Sequence, residues 1–360
     1  MSTDCVKNMV KSIIFVVLAV LGVAVLCVMF VPKTSDLAGG MTNPNARGFY
    51  GEPKNTIDLV VLGDSNAYCA YSPMVTWSKY GIPSYVAAEG NQTIVGAIDL
   101  LDEILTCQNP KMVVFDVNML WSGNSDVQRL ENCVTSMIQD SVPVIKYHNR
   151  WKTMSFEDSF KEKRYTFRSN TRGQRISRCV KPYVGENKME KSDDNDSIPF
   201  ITKYFFEKLL KKCEDRGIKV VLIETPTATS WTYARHVAME EYAEKNDLEF
   251  IDFNTLTGKY AIDWNNDTKD GGMHMMCTVR RRLHHISESI SRTSIHLTIK
   301  RIMRYTVTGT RPVRVTKSMS KGKRYILSLA IKTMKLKRTM RVCKTKCAYL
   351  RSSLRQGWYR

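Results

Sequence analysis

The stretch "TIDLVVLGDSNAY" (residues 56–68) decides the fold. A short apolar run ends in Gly63, and Asp64, Ser65 and Asn66, residue types that favour helix starts, follow at once. It reads as a strand turning into a helix, with a serine hydroxyl at the junction. The pattern recurs along the chain. "SYVAA" (84–88), "KMVVFDV" (111–117), "IKVVLIE" (218–224) and "LEFIDF" (248–253) are further short apolar runs, and "TIVGAIDLLDEIL" (93–105), "FITKYFFEKLLKKCEDRG" (200–217) and "WTYARHVAMEEYAEKN" (231–246) read as helices. Strands alternating with helices require crossovers, so the expectation is an α/β domain over 56–276 with a parallel sheet of about five strands covered on both faces. Residues 149–199 turn polar and charged and are expected as an insertion outside the sheet, over its C-terminal edge, either a solvated loop or a substrate-facing lid.

Before the domain, "IIFVVLAVLGVAVLCVMFV" (13–31) is an uninterrupted apolar run, long enough to cross roughly 30 Å of hydrocarbon as a helix. Lys7 and Lys11 precede it, which predicts a signal anchor with residues 1–12 in the cytoplasm and the domain outside. A cleaved signal peptide fits less well, since the run is long and no small-x-small site follows closely. Leu26 before Cys27 argues against lipidation. Residues 32–55, rich in Gly, Pro and Asn, read as a linker.

The formal charge of +19 is unevenly placed. From Met273 onward 23 Lys/Arg face one acid, Glu288, while the body is close to neutral. A nucleic-acid partner is not expected, because the tail 277–360 has no binding motif, no aromatic interleaving and no clean amphipathic period. The ten cysteines show no paired C-x-x-C spacing, so neither a zinc site nor a compact disulfide scaffold is indicated; a Cys107–Cys133 disulfide stays open.

In an open parallel sheet the ligand site lies beyond the carboxyl ends of the strands. Ser65 sits there, at a helix start, as a candidate nucleophile. The second strand runs into "EGNQT" (89–93), where Gly90 lets backbone N–H groups approach a ligand and Asn91 or Gln92 can donate. The third runs into Asp116-Val117-Asn118, and Asp270 and His274 share a glycine-containing loop past the last strand. A hydroxyl, backbone and amide donors, and a late Asp/His pair are what acyl transfer needs: a nucleophile, an oxyanion site, and a base held by a carboxylate. Trp121 is read either as lining the pocket or as packing beneath it. His148 reads as a packed loop histidine, and His236 as an exposed residue of a helix.

On these residues the chain resembles the SGNH or GDSL hydrolases, esterases and acyltransferases on a flavodoxin-like sheet, over residues 56–276. The resemblance implies a three-layer sandwich, Ser65 as nucleophile, the Ser65 backbone with Gly90 and Asn118 as the oxyanion hole, His274 as base, and no metal or other cofactor. Asn66, Asn91 and Gln92 would lie along the substrate pocket. Two positions depart from the family pattern: Asp116 and Met119 replace the first Gly and last Asp of its Gly-x-Asn-Asp block, and the acid three residues before the histidine is Gly271 here. Asp270, four before, is the expected acid, with Asp267 the alternative. The anchor and "GGMH" loop most resemble exported members that add or remove acyl groups on cell-envelope polymers. The implied partners are an envelope glycan or other acylated polymer, the membrane through residues 13–31, and a membrane acyl-transfer protein.

The tail begins where such a fold places its closing helix. Restoring one base after Met275 permits the translation "NVYGAEKVTSYLGEYLANKYSFDDKKNNE" from position 276, with helix-like apolar spacing. Residues 277–360 are therefore expected to be out of frame, without a native fold or an evolved partner, and this chain's activity could suffer for it.

Overall fold

A computed structural model describes residues 3–276 except 195 and 258–260; the tail 277–360, and with it the reading-frame expectation, lies outside the described residues. Strands β1 (Leu59–Gly63), β2 (Ser84–Ala88), β3 (Met112–Asp116), β4 (Lys219–Glu224) and β5 (Glu249–Asp252) form one parallel sheet in the order β2-β1-β3-β4-β5. This is the flavodoxin-like order, with its switch point between β1 and β3. The described helices are α1 (Thr3–Phe30), α2 (Pro44–Arg47), α3 (Ser65–Ala70), α4 (Pro73–Tyr80), α5 (Ile94–Leu105), α6 (Asp126–Ser141), α7 (Pro143–Lys146), α8 (Phe200–Asp215) and α9 (Tyr233–Lys245).

The register explains the layers. Tyr85, Val60, Val113 and Val220 form one row across β2, β1, β3 and β4, and Ala87, Leu62, Phe115 and Leu222 form the next. Both rows belong to the core cluster with Leu100 and Ile104 of α5, Phe206 and Leu209 of α8, and Met239 of α9. The other face is set by Gly63. A Cβ there would lie 2.3 Å from that of Ala67 and 2.9 Å from that of Asp116, so α3 crosses β1 on the face opposite the cluster. Val61, Val86, Val114 and Val221 on this second face are buried as well. Covering both faces is why the strands read as apolar runs rather than alternations.

Helix starts after the strands are capped by the residue types that marked them in sequence. Thr93 Oγ1 accepts from Gly96 N at 3.1 Å before α5, and Thr232 Oγ1 from Arg235 N at 3.3 Å before α9. α6 was passed over in the sequence although Val127, Leu130, Val134, Met137 and Ile138 recur at helical spacing; in the structure Cys133 is its only buried residue and that apolar stripe is exposed. Cys107 and Cys133 are both free.

Residues 32–55 are not a loose linker. Met41, Ala46 and Phe49 are buried in the domain, and the buried Arg47 pairs with Glu89 and, at 2.8 Å, with Glu103. Composition hid this, because a few large residues among Gly, Pro and Asn do the packing. α1 has no buried residue; at about 42 Å for its length it exceeds the hydrocarbon thickness of a bilayer.

Phe206 is fully buried with its ring 5.0 Å from Phe115 and 5.7 Å from Tyr242. Phe206→Ala is expected to cost about 3–5 kcal/mol of stability, read as a lower denaturant midpoint.

Candidate active site

Each strand end contributes a polar group to one edge of the sheet. At β1, Asp64 caps α3 by accepting from Asn66 N at 2.8 Å, which leaves Ser65 as the first helical residue. Its N–H is among those a helix leaves without an internal partner. Gly63 is required by the close approach of α3 and Asp116 described above.

The loop past β5 brings in His274, the candidate base. His274 Nε2 lies 2.7 Å from Ser65 Oγ, and its Nδ1 lies 2.5 Å from Asp270 Oδ2. The tautomer with the proton on Nδ1 satisfies both contacts: Nδ1–H donates to the carboxylate and Nε2 accepts from the serine hydroxyl. Asp270 Oδ1 also accepts from His274 N at 2.9 Å. Burial works to raise the Asp270 pKa, but the hydrogen bonds from the His274 ring and backbone outweigh it and hold the carboxyl below its ordinary value. The four-residue spacing closes because Gly271 and Gly272 take φ of 82° and 92°, a left-handed region that glycine enters without strain. Asp267 is turned elsewhere, its Oδ2 accepting from Asp263 N at 2.8 Å.

The loop is braced from several sides. Gly272 N donates to Thr268 Oγ1 at 2.6 Å, Ala228 N to Gly272 O at 2.8 Å, and Lys269 Nζ to Cys69 Sγ of α3 at 3.1 Å. The last contact ties the His274 loop directly to the helix that starts at Ser65. Sequence reading missed Cys69, Lys269 and Thr268, whose types carry no catalytic signal.

The remaining expected residues divide. Gly90 and Asn91 are exposed, Asn91 with φ 54°, and a Cβ at Gly90 would meet only Tyr68 Oη, at 3.6 Å. Asn66 is buried, and its Oδ1 has no hydrogen-bond partner. Asn118 is held inward: Nδ2 donates to Glu224 Oε1 at 2.8 Å and to Ser230 Oγ at 3.0 Å. Both amide protons are thus engaged within the protein. Gln92, expected along the pocket, closes a turn, and of the two readings of Trp121 the packed one is observed. Gln92 Oε1 accepts from Glu89 N at 2.9 Å, closing the turn, and Trp121 is buried edge-on to Trp231 with Nε1 donating to Asp196 at 3.1 Å. His148 is exposed at the start of a 3-10 helix (His148–Lys152), with Nδ1 2.9 Å from Ile145 O, and His236 is no free surface residue: its Nδ1 lies 2.9 Å from Asp252 Oδ2, a hydrogen bond that raises the histidine's pKa.

Beneath the site lie buried carboxyls that the sequence reading had not grouped. Asp116 and Glu224 end β3 and β4, and neither meets a cation among the described contacts. Burial pushes Asp116 up to about 7, with Asp64 adding repulsion and Thr225 Oγ1, 2.7 Å away, opposing it; Glu224 is raised by burial and by Asp116 and Asp252. Both are neutral acids over much of the acidic range, which lets Glu224 sit against Asn118 without a counter-ion.

Beyond Gly272 a cavity of about 680 Å³ opens, bounded by Tyr183, Tyr233 and Trp264 with Asn187, Lys188 and Asn254. Its wall comes from the second half of the insertion, where Tyr183 N donates to Trp264 O and Lys181 N to Thr268 O, both at 3.0 Å. A Cβ on Gly272 would lie 2.6 Å from the Tyr183 ring, so the cavity and the base loop share a wall.

No family model and no curated protein matches this chain. Among solved structures, a candidate acylhydrolase from Bacteroides fragilis NCTC 9343 is 13% identical with a TM-score of 0.36, covering 71% of this chain and 95% of that one. A GDSL-like lipase from Bacteroides thetaiotaomicron VPI-5482 is 12% identical with a TM-score of 0.33, covering 67% of this chain and 88% of the other. The fold described above rests on the strand order and register of this chain alone.

The acid pair sets a pH signature. A carboxyl whose folded pKa is raised contributes stability below its unfolded value, and that stability is lost as pH rises through the folded value. For Asp116 the window runs from 3.8 to about 7. Asp116→Asn is expected to flatten the fall in melting temperature across this window; an unchanged slope would show that Asp116 ionises normally.

Proposed function

We propose that the protein is a membrane-anchored serine esterase or O-acyltransferase that acts outside the cytoplasm on acyl groups of an envelope glycan or related polymer. The observation that carries this reading is the continuous chain Ser65–His274–Asp270, already within hydrogen-bond distance at both links. In the proposed reaction Ser65 Oγ attacks the ester carbonyl while His274 Nε2 takes its proton. The carbonyl carbon gains the Ser–O bond, and its oxygen becomes the oxyanion. Collapse of that intermediate breaks the ester C–O bond, and the imidazolium gives its proton to the departing alcohol. Water or an acceptor hydroxyl then attacks the acyl-serine with the same base, giving hydrolysis or transfer. Asp270 holds the ring and stabilises its charged form. The backbone N–H groups of Ser65 and Gly90 would serve the oxyanion; Asn118, the third expected donor, has its amide bonded to Glu224 and Ser230. No step calls for a metal or cofactor.

The polymer is assigned to the cavity beside Gly272. Flat rings offer apolar faces to sugar C–H groups, while Asn187, Asn254 and Lys188 offer donors to hydroxyls. Lys7 and Lys11, ahead of the apolar run 13–31 within α1, favour the domain on the export side.

One observation favours a second reading, a binding protein on the same fold without turnover: the engaged amide of Asn118. Steady-state kinetics on a soluble acetyl ester separate the two. Ser65→Ala and His274→Ala are each expected to lower kcat/KM by about 10⁴-fold, with Asp270→Asn in the same range because the wrong tautomer is held. Equal rates in wild type and Ser65→Ala would remove the catalytic reading. Ala at position 272 would meet the Tyr183 ring, so Gly272→Ala is expected to impair kcat/KM while leaving the sheet folded.

A further inference from the structure

The first half of the insertion lies at the end of α1, and its contacts are specific. Arg150 Nη1 donates to Met29 O and, at 2.9 Å, to Val31 O; Tyr165 Oη donates to Pro32 O at 2.9 Å; Arg164 N donates to Lys33 O at 2.7 Å. Phe167 N adds a bond to Ser35 Oγ at 2.9 Å. The chain therefore passes from the apolar helix into the domain through a braced joint rather than a free tether. On these same segments three large rings face outward: Trp151 is 64% exposed, Phe156 71% and Phe160 67%, the two phenylalanines edge-on at 5.2 Å. Lys152, Lys161, Lys163 and Arg164 stand exposed among them, against Glu157, Asp158 and Glu162.

We propose that residues 145–165 form a platform that seats the domain on the lipid headgroup layer beside the exit of α1. Its occupant is the bilayer surface. Three arguments favour lipid over protein. The patch is continuous with a helix long and apolar enough to span a membrane, so the hydrocarbon boundary lies within a few residues of Trp151's own neighbour Arg150. Clustered exposed aromatics are uncommon on a surface that faces only water. Trp and Phe flanked by Lys and Arg are the side chains that bury rings at the headgroup level while their charges stay wet. The excess of cations is small, so ring insertion rather than anionic lipid supplies most of the contact. The consequence is geometric: the height and tilt of Ser65 above the bilayer become fixed. The inference rests on reading α1 as a membrane span and is independent of the role given to Ser65.

The test uses the full chain in nanodiscs loaded with one copy each, made from phosphatidylcholine and phosphatidylglycerol, half of the preparations with acyl chains brominated near the carbonyls. The Trp151 signal is the emission difference between wild type and Trp151→Phe. It is expected to lose most of its intensity with brominated lipid and little with soluble iodide, and Phe156→Ser with Phe160→Ser is expected to reverse that preference. Quenching by iodide but not by brominated lipid would overturn the platform. So would shielding from iodide seen only when discs carry several copies, which assigns the patch to a second chain. Alkaline extraction run in parallel distinguishes the two failures: a chain released from the membrane refutes the span itself, whereas an integral chain with Trp151 in water refutes the platform alone.

Discussion

The bridge on which the site depends is the His274 ring, which joins Ser65 to a loop 209 residues further along the chain. Everything around it constrains that one ring. Gly63 lets α3 approach β1 and Asp116, which fixes the hydroxyl; Gly271 and Gly272 bend the loop so that Asp270 reaches Nδ1; and Lys269 fastens the loop to Cys69 on α3 itself. Ser65 and His274, the proposed nucleophile and base, are therefore positioned against each other as well as against the sheet. In the proposed reaction such pre-ordering favours attack by a weakly nucleophilic hydroxyl, because little reorganisation would remain when substrate arrives.

Below the ring the carboxyl ends of the strands form a second layer. Asp64, Asp116, Glu224 and Asp252 end four strands within one edge, and their burial keeps Asp116 and Glu224 protonated at pH values where surface carboxyls ionise. Glu224 holds the Asn118 amide, and Asp252 receives both Trp231 Nε1 at 2.7 Å and the His236 ring. These groups trade intrinsic stability for a fixed polar floor under the site.

Legibility followed the physics of burial. The strands and α5, α8 and α9 were readable because a parallel sheet covered on both faces leaves continuous apolar runs and striped helices. Ser65, Asp270 and His274 were readable because a strand end, a cap and a glycine loop each leave a local mark. α6 does carry an apolar repeat, Val127, Leu130, Val134, Met137 and Ile138, which the fold leaves exposed, and the packing of residues 32–55 was hidden by a composition that resembles a linker. Asn118, Gln92 and Trp121 show the other limit: their sequence places them at the right edge of the sheet, but side-chain direction depends on partners such as Glu224, Glu89 and Asp196 that lie elsewhere in the chain. The polar insertion had no readable order, yet one half braces the end of α1 and the other walls the cavity beside the base loop.

The central claim is that Ser65 is an activated hydroxyl. Intact-mass and peptide analysis of the full chain after exposure to a fluorophosphonate reads this directly, since the reagent phosphonylates only a serine whose proton is being withdrawn. One adduct is expected, on the peptide carrying Ser65, lost in His274→Ala as well as in Ser65→Ala. A chain that stays unmodified, or an adduct on another serine that survives both substitutions, would contradict it.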